Sequence, residues 1–196
     1  MFIKVCVPNA WYRIPDQRAF RKTYPFAPPT TVYGFLLSYI GETDVKRYLP
    51  CKIGIAFTHS YKSTILRTQH KYKDNSPMGT GKNRRPMLQE LLGRQHIYIY
   101  LEDETALAKA VAEAYAVPKE RFGVLSMGES FNMVDSVDIV SEIDEDCKVI
   151  ISDLHGEYIV GLSADADRAT GYGNGMCVTT AIWEKGNDPL PVMEVS

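Results

Sequence analysis

Residues 20–42, FRKTYPFAPPTTVYGFLLSYIGE, place a Pro-Pro pair and two threonines directly before a run of bulky apolar side chains. The apolar run leaves little polar surface, which predicts a deeply packed helix. We expect Thr30 or Thr31 to cap this helix and Gly41 to end it. Gly34 lowers helix stability, and we expect it to permit close approach of a neighbouring backbone.

The start of this helix is a candidate anion site. A helix N-terminus offers unpaired N–H groups and a partial positive charge. Arg21 and Lys22 add full charges, Thr30 and Thr31 add hydroxyl donors, and the prolines stiffen the approach. These features predict a phosphate cradle. A capped core helix whose flanking cations are solvated is equally compatible with the composition.

Periodicity on either side of the helix predicts an α+β fold. The order strand, helix, strand, strand, helix, strand is typical of a ferredoxin-like βαββαβ unit, which we place at residues 1–140. The remaining residues, 141–196, are expected to form a small C-terminal β region with strands in CKVIISDL, EYIVGLS and GMCVTTAIW. In the first unit, strands are predicted at residues 2–7, 95–101 and 136–140, a long strand or hairpin arm at residues 51–73, and the second helix at about 103–116.

Bulk composition indicates a soluble globular protein. The chain is 45% apolar and 23% charged, and no apolar run approaches the roughly 20 residues that span a bilayer. The N-terminal residues lack a signal-peptide pattern, so a cytoplasmic location is expected. The cysteines are far apart and form no CxxC pair, which argues against structural zinc and disulfides. They are Cys6, Cys51, Cys147 and Cys177.

Charge is strongly segregated along the chain. Residues 1–100 hold 16 Lys+Arg and 5 Asp+Glu, a net of +11, whereas residues 101–196 hold 6 and 19, a net of −13. Between residues 47 and 94 there are 10 cations and 2 acids. This asymmetry favours a polyanion-binding first half over a chance distribution of surface charge.

The segment from residue 61 to residue 86 combines cations with aromatic rings. Tyr61, His70 and Tyr72 alternate with lysines and arginines, and rings of this kind can stack on unpaired bases while cations neutralise phosphates. Residues 74–86 lack a core pattern and are predicted to be a loop or the tip of a hairpin. A plain solvated hairpin is the alternative. The cations are Lys62, Arg67, Lys71, Lys73, Lys82, Arg84 and Arg85.

Catalysis has weaker support in the sequence. Tyr61, His70 and Lys71 could serve a metal-independent ribonuclease, with histidine as the base, but nothing in the sequence fixes their geometry. The acidic run at residues 135–146 has neither EF-hand nor two-metal spacing. No metal and no cofactor is therefore expected.

Three stretches carry a resemblance to a known family. Residues 20–42 resemble the PP-[ST]-T-V-x-G-[LMF]-L-x-x-x-G-E signature of the CRISPR-associated Cas-five family, in the form found in type I-B and myxobacterial-type systems. RRPMLQELLGRQHIYIYL (84–101) is similar to the family's segment after its hairpin. VLSMGESFNMVDSVDIV (124–140) is similar to its L-x-x-G-[ER]-S turn.

The resemblance implies a RAMP-superfamily fold, ferredoxin-like and related to the RNA-recognition motif, with a β-hairpin thumb at about residues 60–86. It implies one copy in a Cascade ribonucleoprotein complex for antiviral defence. There the family holds the 5′ repeat-derived handle of crRNA, contacts the large Cas-eight type subunit and the first Cas-seven type backbone subunit, and reaches target DNA through the complex. On this chain the handle-binding role falls on Arg21, Lys22, Thr30, Thr31 and Tyr33.

We therefore expect a non-catalytic RNA-binding subunit without membrane contact. One branch of the family cleaves precursor guide RNA with a Tyr/Lys/His set, but the spacing here does not match it. An endoribonuclease and a protein-interaction module without RNA contact remain the alternatives. The predicted RNA-binding residues are Arg13, Arg18, Arg21, Lys22, Thr30, Thr31, Tyr33, Lys62, Arg67, Lys71, Lys73, Lys82, Arg84 and Arg85.

Overall fold

The computed structural model describes residues 1–14, 20–70, 84–121, 123–144, 146–161, 175–183 and 190–196. Two helices and ten strands lie within these ranges. In chain order they are β1 (Phe2–Ala10), β2 (Phe20–Arg21), α1 (Pro29–Ile40), β3 (Cys51–Phe57), β4 (Tyr61–His70), β5 (Arg84–Tyr100), α2 (Ala106–Ala116), β6 (Ser136–Val140), β7 (Lys148–Ser152), β8 (Tyr158–Gly161), β9 (Gly175–Ile182) and β10 (Val192–Val195).

The strands form one sheet, whose main path runs in the order β6-β1-β5-β3-β7-β9-β8. Every neighbouring pair on this path is antiparallel. Off the path, β4 and β10 pair antiparallel with β5 and β3, while β2 pairs parallel with β5. The fold is a mixed α/β arrangement of a mostly antiparallel sheet with two helices, as the order of predicted elements indicated.

The core lies between the helices and one face of the sheet. In β1 the alternating residues Ile3, Val5 and Val7 are buried, because successive side chains of a strand point to opposite faces. They share a single apolar cluster with Leu36 of α1 and Val111 of α2. The predicted packing of α1 is therefore confirmed, and this helix is anchored along most of its length.

The start of α1 differs from the prediction. Its N-cap is Pro28, which makes no side-chain cap, and Pro29 is the first helical residue. Proline suits this position because its fixed φ is helical and its missing N–H would lack a partner anyway. Thr30 and Thr31 lie inside the first turn, so neither caps the helix. Gly41 does end it, with a left-handed φ of 72°.

Gly34 also differs from the prediction. It is exposed on α1, and a Cβ built at this position meets nothing within 4 Å, so no neighbouring backbone approaches it. Substituting Gly34→Ala is expected to raise the free energy of unfolding by about 0.5–1 kcal/mol, because alanine restricts the unfolded chain more than glycine does. Chemical denaturation would measure this. Destabilisation by the alanine variant would contradict the open surroundings described here.

The long strand or hairpin arm predicted at residues 51–73 is divided within residues 51–70, the part that the structure describes. Residues 58–60 separate β3 from β4, and Thr58 is fixed at the break by hydrogen bonds with the backbone of His96. β4 then pairs with residues 84–93 of β5, from Tyr61 opposite Gly93 to His70 opposite Arg84. We call this antiparallel pair the hairpin; β5 runs from it into the centre of the sheet.

The C-terminal strands continue the same sheet. β7 pairs with the end of β3 at residues 56–57, and β10 pairs with its first half at residues 51–54. β6 and the strands predicted in the C-terminal segments are present, whereas β10 had not been predicted. The four cysteines are unpaired. Neither helix in the described ranges has the length and apolarity needed to cross a bilayer.

Candidate nucleic-acid interface

A groove of about 390 Å³ opens beside the first turn of α1, and we call it the α1 groove. It brings together three segments that are distant in sequence: the chain just after β1, the β2 strand with α1, and the turn at Gly128. Its lining residues are Trp11, Tyr12, Arg13, Ile14, Arg21, Thr31, Gly128 and Glu129.

The wall after β1 is held by hydrogen bonds to the segment that follows β2. Arg13 and Thr23 form an antiparallel bridge, and the backbone N–H of Tyr12 donates to the Thr23 hydroxyl at 2.8 Å. The buried Tyr12 hydroxyl donates to the side-chain oxygen of Gln95 at 2.9 Å. Burial raises the pKa of Tyr12, so this hydroxyl stays protonated at neutral pH. This wall is pre-formed.

Arg21 is positioned by an aromatic ring. Its guanidinium carbon lies 5.7 Å from the centroid of the Trp11 ring, within cation–π range. Trp11 is itself buried, and its indole N–H donates to the backbone carbonyl of Lys22 at 3.0 Å. Lys22 is exposed next to this contact. Of the two cations predicted before α1, Arg21 therefore lines the groove together with Thr31, whereas Lys22 is not one of the lining residues.

The Gly128 turn forms another part of the groove lining, against the backbone of Trp11. Gly128 has a φ of +99°, and a Cβ at this position would lie 2.5 Å from the carbonyl oxygen of Trp11. Both features require glycine here. The turn is tied by the backbone N–H of Glu129, which donates to the Asn132 side chain at 3.1 Å.

Arg67 is engaged by protein groups. Its guanidinium donates to Glu129 at 2.7 Å and to the buried Gln89 at 2.9 Å, and its carbon lies 4.5 Å from the Phe131 ring centroid. Its charge is thus paired with a carboxylate of the α1 groove. Arg67 connects the hairpin to the Gly128 turn, in addition to any phosphate contact that was predicted for it.

Tyr33 corrects the predicted set of RNA-binding residues. Its side chain is 1% exposed, and its hydroxyl donates to the backbone carbonyl of Val45 at 2.9 Å. Because the ring packs in the core and the hydroxyl already has a partner, Tyr33 stabilises α1 and is not available to RNA. Thr30 lies in the first turn beside Thr31 and is half-buried.

The hairpin presents the other predicted cations that the structure describes. Lys62 on β4 and Arg85 on β5 are exposed. Arg84 begins β5 opposite His70, and the side chains of these two residues fall outside the described part of the chain. The predictions for Arg18, Lys71, Lys73 and Lys82 also lie outside the described residues.

Two of the three residues considered for ribonuclease chemistry, Tyr61 and His70, lie far apart on β4. Tyr61 and His70 stand at the two ends of β4, which at about 3.3 Å per residue separates them by roughly 30 Å. One phosphodiester cannot span these two backbone positions, so Tyr61 and His70 do not form one site. Lys71, the third residue of the ribonuclease alternative, lies outside the described residues. In the described ranges, no three His, Cys, Asp or Glu side chains are close enough to hold a metal ion.

Several residues of the candidate site were not predicted from the sequence. Trp11 was not among the predicted residues, although its position two residues before Arg13 was a usable signal. Gly128 and Glu129 lay in a recognised family motif, but their contact with Trp11 depends on the fold. Phe131 carried no sequence signal that we can identify.

Comparison with known proteins adds an independent line of evidence. The CRISPR-associated protein Cas5 of Myxococcus xanthus (strain DK1622) is 27% identical over 152 residues, covering 71% of this chain and 70% of that protein. No protein-family model matches the chain.

Two solved structures share the fold. A chain in a structure titled "CRISPR RNA-guided surveillance complex" superposes with a TM-score of 0.66 at 11% identity, covering 92% of this chain and 88% of that one. A chain in "Crystal structure of Cas protein" gives a TM-score of 0.59 at 15% identity, covering 96% and 97%. The sequence relationship bears out the resemblance carried by residues 20–42, and the two solved structures share the fold: this chain is similar to Cas5-type CRISPR-associated proteins.

Proposed function

We propose that this protein is a non-catalytic RNA-binding subunit of a type I CRISPR Cascade effector complex, in which it holds the 5′ repeat-derived handle of crRNA. The observation that carries the proposal is the α1 groove. There Arg13, Arg21 and Thr31 line a pre-formed cleft beside a helix N-terminus. Backbone N–H groups and fixed cations of this kind suit phosphate oxygens.

The topology supports a ferredoxin-like assignment for the first part of the chain. The strands of the βαββαβ unit are β1, β3, β5 and β6, and their spatial order is β6-β1-β5-β3. This order puts the first and third strands at the centre, with α1 and α2 as the crossovers. The hairpin then extends from the connection between the second and third strands, where a thumb is proposed.

The distance between Tyr61 and His70 along β4 favours a binding role over RNA cleavage. Strand-scission chemistry through a 2′-hydroxyl needs a base and a charge-stabilising group at one phosphate. Tyr61 and His70 are roughly 30 Å apart, so they cannot form that pair. Incubating the purified protein with precursor crRNA, with and without a chelator, tests this directly; cleavage that His70→Ala abolishes would overturn the non-catalytic assignment.

Handle binding is tested by titrating the full chain against fluorescein-labelled handle RNA at several salt concentrations. Each phosphate contact on single-stranded RNA contributes a slope of about −0.7 to the logarithm of affinity against the logarithm of salt concentration. We expect a steep slope. Affinity that ignores both salt and handle sequence would favour the alternative of a protein-interaction module.

The partners proposed for the acidic half are basic surfaces of neighbouring subunits. Residues 101–196 carry a net charge of −13, while the α1 groove and the hairpin lie mostly in the cationic first half. We propose contacts with the large Cas-eight type subunit and the first Cas-seven type backbone subunit, and through them with target DNA. Co-purification with these subunits, weakening as salt rises, would support this arrangement.

Removing the charge of Glu129 is expected to raise the affinity for handle RNA, whereas removing a cation of the groove should lower it. It places a negative charge in the α1 groove and pairs with Arg67 at 2.7 Å. Glu129→Gln is expected to raise affinity for handle RNA roughly threefold at low salt, because it removes a charge that repels phosphate and releases Arg67. Stability should fall by about 0.5–1 kcal/mol, since the pair is partly exposed.

The control is Glu113→Gln, which removes an exposed carboxylate from α2 and leaves the groove unchanged. Anisotropy titrations measure affinity and thermal unfolding measures stability. Equal gains from the two variants would show that net charge alone controls affinity, and would contradict a specific role for the groove.

A further inference from the structure

A second cavity, of about 460 Å³, lies where the hairpin joins the sheet, and we call it the hairpin-base cavity. It shares no lining residue with the α1 groove. Its volume is within the usual range of roughly 300–1,000 Å³ for small-ligand pockets. The residues that give it chemical character are His59, Tyr61, Lys62, Lys148 and Tyr158.

The ring of Tyr61 is a pre-oriented platform in this cavity. Tyr61 is opposite Gly93 in the hairpin, and a Cβ built on Gly93 would lie 2.0 Å from the Cζ atom of the ring. The ring therefore lies directly against the backbone of Gly93, in space that any other residue would fill. The side chain is nevertheless 55% exposed. One part of the ring is supported by the strand while the rest faces the cavity.

Two cations from different parts of the sheet line the same cavity as this ring. Lys62 follows Tyr61 on β4, and Lys148 begins β7. Within the described residues, neither lysine has a carboxylate partner within ion-pair distance. Glu157 is the acidic residue among those lining the cavity, so lysines outnumber carboxylates there.

We propose that the hairpin-base cavity binds one unpaired nucleotide of RNA, with its base stacked on Tyr61 and its phosphate contacted by Lys62 and Lys148. A half-exposed, supported aromatic ring next to cations is the arrangement by which proteins hold single-stranded nucleic acid. The choice of RNA as the polyanion rests on the proposed function. The site itself is separate from the α1 groove, so the two can be tested independently.

The test uses the full chain and single-stranded oligoribonucleotides about ten nucleotides long, a length within the usual range of site sizes. Tyr61→Ala should weaken binding roughly tenfold, because a stacked base contributes on the order of 1–3 kcal/mol. Tyr61→Phe should stay within about twofold of wild type, because stacking needs the ring and not the hydroxyl. Tyr115→Ala, which removes an exposed ring from α2, is the matched control and should have no effect.

Abasic RNA separates stacking from a structural effect. Replacing each base in turn by an abasic site should identify one position at which wild type loses affinity and Tyr61→Ala loses nothing further. Gly93→Ala, which displaces the ring without removing it, should weaken binding in the same way if it folds. Thermal unfolding of each variant confirms that the comparison is between folded proteins.

The outcomes distinguish this inference from the proposed function. If Tyr61→Ala binds as tightly as wild type and no abasic position depends on Tyr61, the inference is wrong, while salt-dependent binding of handle RNA would still support the α1 groove. If wild type binds no RNA at all, the proposed function fails and this inference fails with it. An abasic position coupled to Tyr61 supports both.

Discussion

Replacing Arg13 and Arg21 together by glutamate is expected to weaken binding of handle RNA roughly 100-fold at low salt. Both residues line the α1 groove, and the ring of Trp11 holds Arg21 at 5.7 Å. The double variant removes two cations from the cleft and adds two charges that repel phosphate. The salt dependence should also become shallower, by about 1.4 in slope for two lost phosphate contacts.

A charge-matched control makes this result specific. Lys109→Glu with Lys119→Glu changes net charge by the same amount at exposed positions in and just after α2, outside the groove. We expect this control to cost no more than a few-fold in affinity, through long-range repulsion alone. Anisotropy titrations over a range of salt concentrations measure both variants. Equal losses from the two would contradict a defined phosphate site at the start of α1.

Phe26→Ala is expected to lower the free energy of unfolding by about 3–5 kcal/mol, the usual cost of removing a buried phenyl ring. Phe26 is 0% exposed, and its ring centroid lies 5.3 Å from that of Tyr158 and 5.7 Å from that of Phe57. It therefore joins the approach to α1 with β3 and β8. At about 2–4 °C per kcal/mol for a chain of this size, the melting temperature should fall by roughly 10 °C.

Two further variants serve as controls for the stability loss of Phe26→Ala. Phe26→Leu keeps most of the apolar volume and should cost about 1.5 kcal/mol or less if the site repacks. Phe20→Ala removes a ring that is 37% exposed on β2 and should cost clearly less than Phe26→Ala. Chemical denaturation with unchanged m-values would make the comparison sound. A loss below about 1 kcal/mol for Phe26→Ala would show that this aromatic cluster does not bind the three elements together.

Elements with strong local periodicity were predictable from the sequence. The alternation of Ile3, Val5 and Val7 marks β1, and SVDIV marks β6 at the observed bounds. Gly41 ends α1 as predicted, because a left-handed residue is a local requirement. The cap at the other end was mispredicted, since threonine is a good N-cap but proline at the first helical position competes with it.

Features that depend on contacts between distant parts of the chain could not be predicted from the sequence. The break at residues 58–60 arises because β5 pairs with β3 at one end and with β4 at the other. The family resemblance assigned handle binding to Tyr33, yet helical geometry turns its ring into the core. β10 is short, and it is recognisable as a strand only through its pairing with the distant strand β3.

The candidate site likewise has a part that was predictable from the sequence and a part that depends on distant contacts. Residue types that suit phosphate were evident at Arg13, Arg21 and Thr31, because cations and a helix start are visible in sequence. Gly128 lies in a stretch that resembles a family motif, but its place in the lining of the groove could not be predicted from that resemblance. Its contact with the Trp11 carbonyl joins positions more than a hundred residues apart, which no local pattern encodes.

The pairing of β3 with β10 has a consequence for synthesis in the cell. One edge of β3 stays incomplete until residues 192–195 have left the ribosome, because Val192 to Val195 supply its partners at Cys51 to Gly54. Native closure of this edge therefore waits for a segment that is translated more than a hundred residues after β3, and the strand is unshielded during that interval. Binding of a chaperone to that edge would protect the growing chain against misassembly.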